Sequence, residues 1–130
     1  ELTKDNEGLL KKFNLIHVKN TKAGSLSYGE KKRLEMARAL AMRPKILLLD
    51  EPAAGMSPPE LEWLMETIND LRSSGLAILL IEHHMRLVMG VCDKISVLNF
   101  GNKIAEGTPS SISKNPEVIT AYLGKEDPGA

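Results

Sequence analysis

Apolar positions along this chain change their spacing several times, and each change predicts an element. In the polar stretch 2–13, Leu9, Leu10 and Phe13 recur at helical spacing and predict a short helix. Residues 14–25, rich in Lys, Thr and Gly, predict a loop or a short turn. A second helix is expected over 29–42, with Leu34, Ala37 and Ala41 as its inward stripe and Pro44 as its stop. Ile46, Leu47, Leu48 and Leu49 show no polar alternation, the pattern of a strand buried on both faces in a parallel sheet. Ser57-Pro58-Pro59-Glu60 then reads as a helix start: a capping serine, a proline in the first turn and a glutamate that completes a capping box. Leu61, Leu64, Met65, Ile68 and Leu71 form the apolar face of that helix, and Ser74-Gly75 ends it. Residues 76–81 predict a second buried strand. Strand, helix, strand is the unit that builds parallel α/β sheets.

Downstream, residues 84–91 predict a short helix with Met85, Val88 and Met89 inward. Strands at 95–98 and 103–105 flank a hairpin turn at 99–102. Thr108-Pro109 and Asn115-Pro116 each start a short helix, the second ending at Gly124, and residues 125–130 are expected to be frayed.

Bulk properties narrow the function class. The 130 residues suffice for one domain with a core, and 42% apolar with 26% charged content fits a soluble globular protein. A formal net charge of zero gives no global reason to expect nucleic acid or direct membrane insertion as a mode of action. The longest apolar runs are far too short to span a bilayer, and the opening residues do not read as a secretory leader. The single cysteine, Cys92, cannot form an internal disulfide, which fits a reducing cytoplasm. A start at Glu1 leads us to expect a piece of a longer or processed protein.

Two stretches carry candidate chemistry. Ser27-Tyr28-Gly29-Glu30 opens a helix, whose N-terminus presents free N–H groups and a partial positive charge to an anion. Ser27 adds a hydroxyl, and Gly29 permits close backbone approach. Alone, these residues are equally an ordinary serine-capped helix start. Asp50 closes the first strand at its carboxyl end, where open α/β sheets place ligands, and a carboxylate there can hold Mg²⁺ directly or through water. Glu51 follows and is expected to point elsewhere because strand side chains alternate. Alone, Asp50-Glu51-Pro52 is also a plain strand-end turn. His83 follows the second strand as Asp50 follows the first, so both are expected to face one crevice. Gly24 and Gly29 have the spacing of a phosphate-cradling loop, but Glu30 and Lys31 stand where that loop needs Lys and Ser or Thr, so that reading is rejected.

Taken together and in order, Leu26-Ser27-Tyr28-Gly29-Glu30, the strand 46–50 with Glu51, and His83 resemble the second half of an ABC-type ATPase. The resemblance implies a P-loop NTPase-like α/β fragment: a helical segment followed by a mainly parallel sheet with flanking helices, the P-loop half missing. Residues 1–43 would end the helical subdomain, 44–111 would be part of the catalytic core, and 112–130 a short helical tail. It implies ATP and Mg²⁺ as cofactors. Glu51 would polarise the attacking water, Asp50 would hold Mg²⁺, and His83 would sense the terminal phosphate. Ser27, Tyr28, Gly29 and Glu30 would bind the ATP held by a second ATP-binding subunit, in a homo- or heterodimer. Integral membrane permease subunits are the other implied partners, with the chain peripheral on the inner face of the cell membrane.

Finer text resembles the LivG-type ATP-binding subunit of branched-chain amino acid importers, with the lipopolysaccharide-export ATPase as the near relative: residues 51–58, Ile81-Glu82-His83 with Met85, residues 87–90, and 115–119 with 121–124. A non-transport ABC ATPase and an inactive interaction fragment are the other readings. Ser57 stands where the common family form has Asp, and His84 where it often has Asp; the latter leaves that loop's hydrogen bonding open. Among the remaining residues, Trp63 is expected on the surface, Cys92 buried and inert, and His17 solvated in a loop. Lys31, Lys32 and Arg33 are expected to form a solvated helix face. Apolar surface left bare by the missing half is expected to drive self-association.

Overall fold

The computed structural model describes residues 2–122, with side chains from Asn6 onward. They fall into two compact units that meet in the chain between Ile81 and Glu82.

The first unit contains helices α1 (Leu2–Lys12), α2 (Tyr28–Ala41) and α3 (Pro58–Ser73) and strands β1 (Ile46–Asp50) and β2 (Ala77–Ile81). Helix α2 ends as its sequence requires. The amides of Met42 and Arg43 reach back to Ala39 O and Leu40 O, Arg43 takes φ +50°, and Pro44 forbids continuation. Its buried residues are Met36 and Ala37; Leu34 is only half-buried and Ala41 is exposed, so the inward stripe is rotated from the one expected. Helix α3 buries Leu61, Leu64, Ile68 and Leu71, as its spacing predicts, together with Thr67. Phe13 and Leu15, just past α1, are also fully buried. Trp63 is not a plain surface residue. Phe13 meets it edge-on with ring centroids 5.9 Å apart, and the Arg33 guanidinium lies 4.7 Å from its ring centroid.

Strands β1 and β2 pair in parallel, Ile46 opposite Ala77 through to Asp50 opposite Ile81. Alternate residues of β1, Leu47 and Leu49, are buried. Ile46 and Leu48 are 59% and 69% exposed, and Leu79 and Ile81 in β2 are 57% and 59% exposed. The expectation of burial on both faces therefore fails. A continuous apolar strand needs cover above and below, and none of the described residues covers this second face.

The second unit contains α4 (Met85–Val91), the antiparallel strands β3 (Ile95–Asn99) and β4 (Asn102–Gly107), and short helices α5 (Pro109–Ile112) and α6 (Pro116–Ala121). Val88, Ile95, Val97, Ile112 and Val118 form its core. Cys92 packs half-buried at the margin of that core rather than inside it. Asn115 Oδ1 accepts the amides of Glu117 and Val118 to start α6, and the Tyr122 hydroxyl donates to Leu98 O beyond its end. Helix α6 stops at Ala121; the residues from Leu123 and Gly124 to the expected frayed tail at 125–130 lie outside the described part. Glu106 gathers Lys103 at 2.8 Å, Lys94 at 2.5 Å and the Ser96 hydroxyl at 3.2 Å, and these donors pull its carboxyl down to about 2.

The hairpin turns on two residues, Phe100 and Gly101, with φ of +48° and +78°, the sign pattern of a type I′ turn. Phenylalanine is strained there and is 98% exposed, so it gains nothing from burial. Phe100→Asn is expected to stabilise the hairpin by about 1 kcal/mol, read as slower hydrogen exchange of the β3–β4 amides; unchanged or faster exchange would contradict it.

Candidate functional site

The serine at the start of α2 is a true cap. Ser27 Oγ accepts the Glu30 amide at 3.3 Å, and Glu30 Oε2 accepts the Ser27 amide at 2.8 Å. The other Glu30 oxygen faces His17 Nε2 at 3.3 Å, so His17 is exposed but partnered, in a 3₁₀ turn rather than a free loop. The Ser27 amide above all, then the Ser27 hydroxyl and His17, hold the Glu30 carboxyl below the usual range. Ser27 itself is exposed, and Tyr28 is 55% exposed. A phosphate group arriving at this turn would meet a fixed, open helix end.

Gly29 has a neighbour that sequence reasoning missed. A Cβ built there would collide with Glu60 Oε1. Glu60 meanwhile uses Oε2 to accept the Ser57 amide at 2.8 Å and the Ser57 hydroxyl at 2.7 Å, which lower its carboxyl pKa together with the charge of Arg33. The capping-box spacing marked Glu60 in the sequence; its contact with Gly29 carried no sequence signal. The basic run beside this turn is partly engaged rather than wholly solvated. Lys32 Nζ sits 5.7 Å from the Tyr28 ring centroid, and Arg33 lies over Trp63, leaving Lys31 exposed.

At the other end of the first unit, the register sets Asp50 directly beside Ile81 at the carboxyl ends of two parallel strands. The tips thus lie at one edge of the sheet, which is where the chain leaves β2 towards His83. Asp50 also lines a cavity of about 140 Å³ with Lys32, Glu35, Met36 and Met56. The strand ends at Asp50, so alternation no longer governs Glu51. Instead its backbone turns left-handed, with φ +45°, and its amide donates to Ile81 O at 2.9 Å. A non-glycine residue in that region carries local strain of about 1–2 kcal/mol. The hydrogen bond to the neighbouring strand holds Glu51 in place, and its side chain is exposed.

Within the second unit, Glu82 Oε2 accepts the amides of His83 at 3.0 Å and His84 at 3.1 Å. That carboxylate supplies the loop hydrogen bonding that His84 had left open, and both histidines remain exposed. Magnesium suits the donor set around Asp50: this ion binds through one or two carboxylates, keeps water, and takes the rest of its shell from phosphate oxygens. Among the described residues no cluster of three His, Cys, Asp or Glu side chains forms a cage.

Residues 1–54 match the family described as ABC transporter, and residues 102–128 match that described as branched-chain amino acid ATP-binding cassette transporter. Over 117 residues, 89% of this chain, the sequence is 50% identical to the high-affinity branched-chain amino acid transport ATP-binding protein LivG of Escherichia coli K12, covering 46% of that protein. The chain belongs to the ATP-binding cassette family. Its fold agrees with an ATP-binding cassette of an ABC transporter solved in its ADP conformation, with a TM-score of 0.83 at 31% identity over 95% of this chain and 50% of that one. The lipopolysaccharide export system ATP-binding protein LptB of Haemophilus influenzae is 39% identical over 91% of the chain, which covers 49% of LptB. This cassette sequence therefore spans about half the length of the curated relatives it matches.

Proposed function

We propose that the chain is part of the ATP-hydrolysing subunit of an importer for branched-chain amino acids, acting as a dimer with permease subunits on the cytoplasmic face of the cell membrane. The observation that carries this reading is the tip of the parallel sheet: Asp50 beside Ile81, and Glu51 turned out of the strand and tied to Ile81 O. No described helix is long and apolar enough to cross a membrane.

In this reading Asp50 holds Mg²⁺ on the phosphate tail of one ATP. Glu51 orients the attacking water and accepts its proton, and His83 contacts the terminal phosphate. Ser27, Tyr28, Gly29 and Glu30 reach the ATP held by the second ATP-binding subunit, with the Ser27 hydroxyl and the free amides of the helix start as donors. Residues 1–43 close a helical subdomain, 44–111 belong to the catalytic core, and 112–130 form a tail. The branched-chain amino acid assignment is supported by the 50% identity to LivG and by the match over residues 102–128. Lipopolysaccharide export is the second reading, supported by the 39% identity to LptB.

None of the 130 residues forms a Lys-Ser or Lys-Thr phosphate loop. The isolated chain is therefore expected to show no Mg²⁺-dependent ATP turnover, and the full-length subunit to hydrolyse ATP. Turnover by the purified 130-residue chain would refute its dependence on the missing loop. A full-length subunit that binds and hydrolyses no ATP would overturn the ATPase reading itself.

A further inference from the structure

The turn that begins at Glu51 carries the candidate water-orienting carboxylate. The Ala54 amide reaches Glu51 O at 3.2 Å, and the Met56 amide reaches Ala53 O at 3.1 Å. Midway along it lies Gly55, left-handed at φ +72°. The bare face of Gly55 is covered by a ring from another element. A Cβ at Gly55 would lie 3.3 Å from Tyr28 Cε1 and 3.9 Å from both Cδ1 and Cζ.

Tyr28 is the first residue of α2, next to the capping Ser27. The same two regions meet at two further points: Glu60 caps Ser57 while abutting Gly29, and Arg33 of α2 lies over Trp63 of α3. The family resemblance gives Tyr28 only a place among the residues that would bind the ATP of a second subunit. Its position on Gly55 gives it a second task.

We propose that Tyr28 is a positioning residue whose ring, seated on Gly55, ties the Glu51 turn to the serine-capped start of α2, so that the two regions move as one body. On the proposed function, from which this inference draws its consequence, the two regions serve different nucleotides. Tyr28 would then couple the placement of Glu51 on one ATP to the placement of Ser27 and Gly29 on the other. The phenolic oxygen takes no part; the ring face does the work, so phenylalanine should replace it and alanine should not.

Two readouts test this. In the 130-residue chain without nucleotide, Tyr28→Ala is expected to speed hydrogen exchange of the Ala54 and Met56 amides by about fivefold or more, with the α3 amides of 64–71 unchanged. Tyr28→Phe should restore the slow rate. In the full-length subunit, Tyr28→Ala should lower kcat about ten- to a hundredfold, and Tyr28→Phe should recover most of that loss. Unchanged exchange at Ala54 and Met56, or an unchanged kcat, would overturn the proposal. Should Tyr28→Ala fail to fold, Tyr28→Leu, which keeps bulk but not a flat ring, decides by the same exchange measurement. The exchange experiment involves no ATP, so a failure of the ATPase reading shows itself separately, as a wild-type full-length subunit without turnover.

Discussion

Glu51→Gln in the full-length subunit is expected to lower the ATP turnover number by about 10²- to 10⁴-fold while ATP binding persists. Glutamine keeps the length and planarity of the side chain and can still orient a water, but it cannot accept that water's proton. The backbone at Glu51 makes the comparison clean. Glu51 sits at φ +45° with its amide bonded to Ile81 O, and neither feature depends on the side-chain charge. The substitution should therefore leave the strand tip and Asp50 where they are. Phosphate release under saturating Mg²⁺-ATP and equilibrium ATP binding, measured on the same preparation, separate the two effects. Turnover within a few-fold of wild type would remove Glu51 from the chemistry. Equal loss of binding and turnover would instead mean that the substitution disturbs the site.

Leu64→Ala is expected to cost the first unit about 2–5 kcal/mol. Leu64 is fully buried on the inner face of α3. Alanine in its place removes the apolar transfer energy of the lost carbons and leaves a void that close-packed neighbours fill only in part. The exposed position Glu66 on the same helix provides the control, because Glu66→Ala changes no burial and should shift stability by less than about 0.5 kcal/mol. Trp63, the only tryptophan, is adjacent in sequence and packed on Phe13, so its fluorescence follows this unit during urea unfolding. A midpoint for Leu64→Ala equal to that of Glu66→Ala would contradict the core assignment.

Periodicity and capping chemistry made most elements legible in the sequence. The serine and proline start of α3 and the Pro44 stop after α2 follow from local rules that act over a few residues, and the parallel pairing of β1 and β2 follows from the strand–helix–strand order. Ser57 and Glu60 as a capping box, and Ser27 as a capping serine, were readable for the same reason, whereas the return bond from Glu30 to the Ser27 amide was not read. What escaped was set by contacts between distant residues. The Glu60 carboxylate against Gly29, the Tyr28 ring on Gly55 and His17 beside Glu30 join segments whose approach no local pattern encodes. Glu51 escaped differently: strand alternation was the wrong rule for it, because the strand had already ended and the left-handed turn set its direction. Unbroken hydrophobicity in 46–49 told of a surface that wants cover on both sides, and one side finds none among the described residues. The roles proposed for Ser27, Tyr28, Gly29, Glu30, Asp50, Glu51 and His83 come from family resemblance, not from periodicity or capping.

The bare face of Ile46, Leu48, Leu79 and Ile81 also governs how this chain behaves in the tube. Whatever settles on those side chains, another copy included, binds the folded form and not the unfolded one, and so shifts the unfolding equilibrium by mass action. Should a second copy settle there, the melting temperature is expected to rise with protein concentration, and only samples matched in concentration could be ranked against each other.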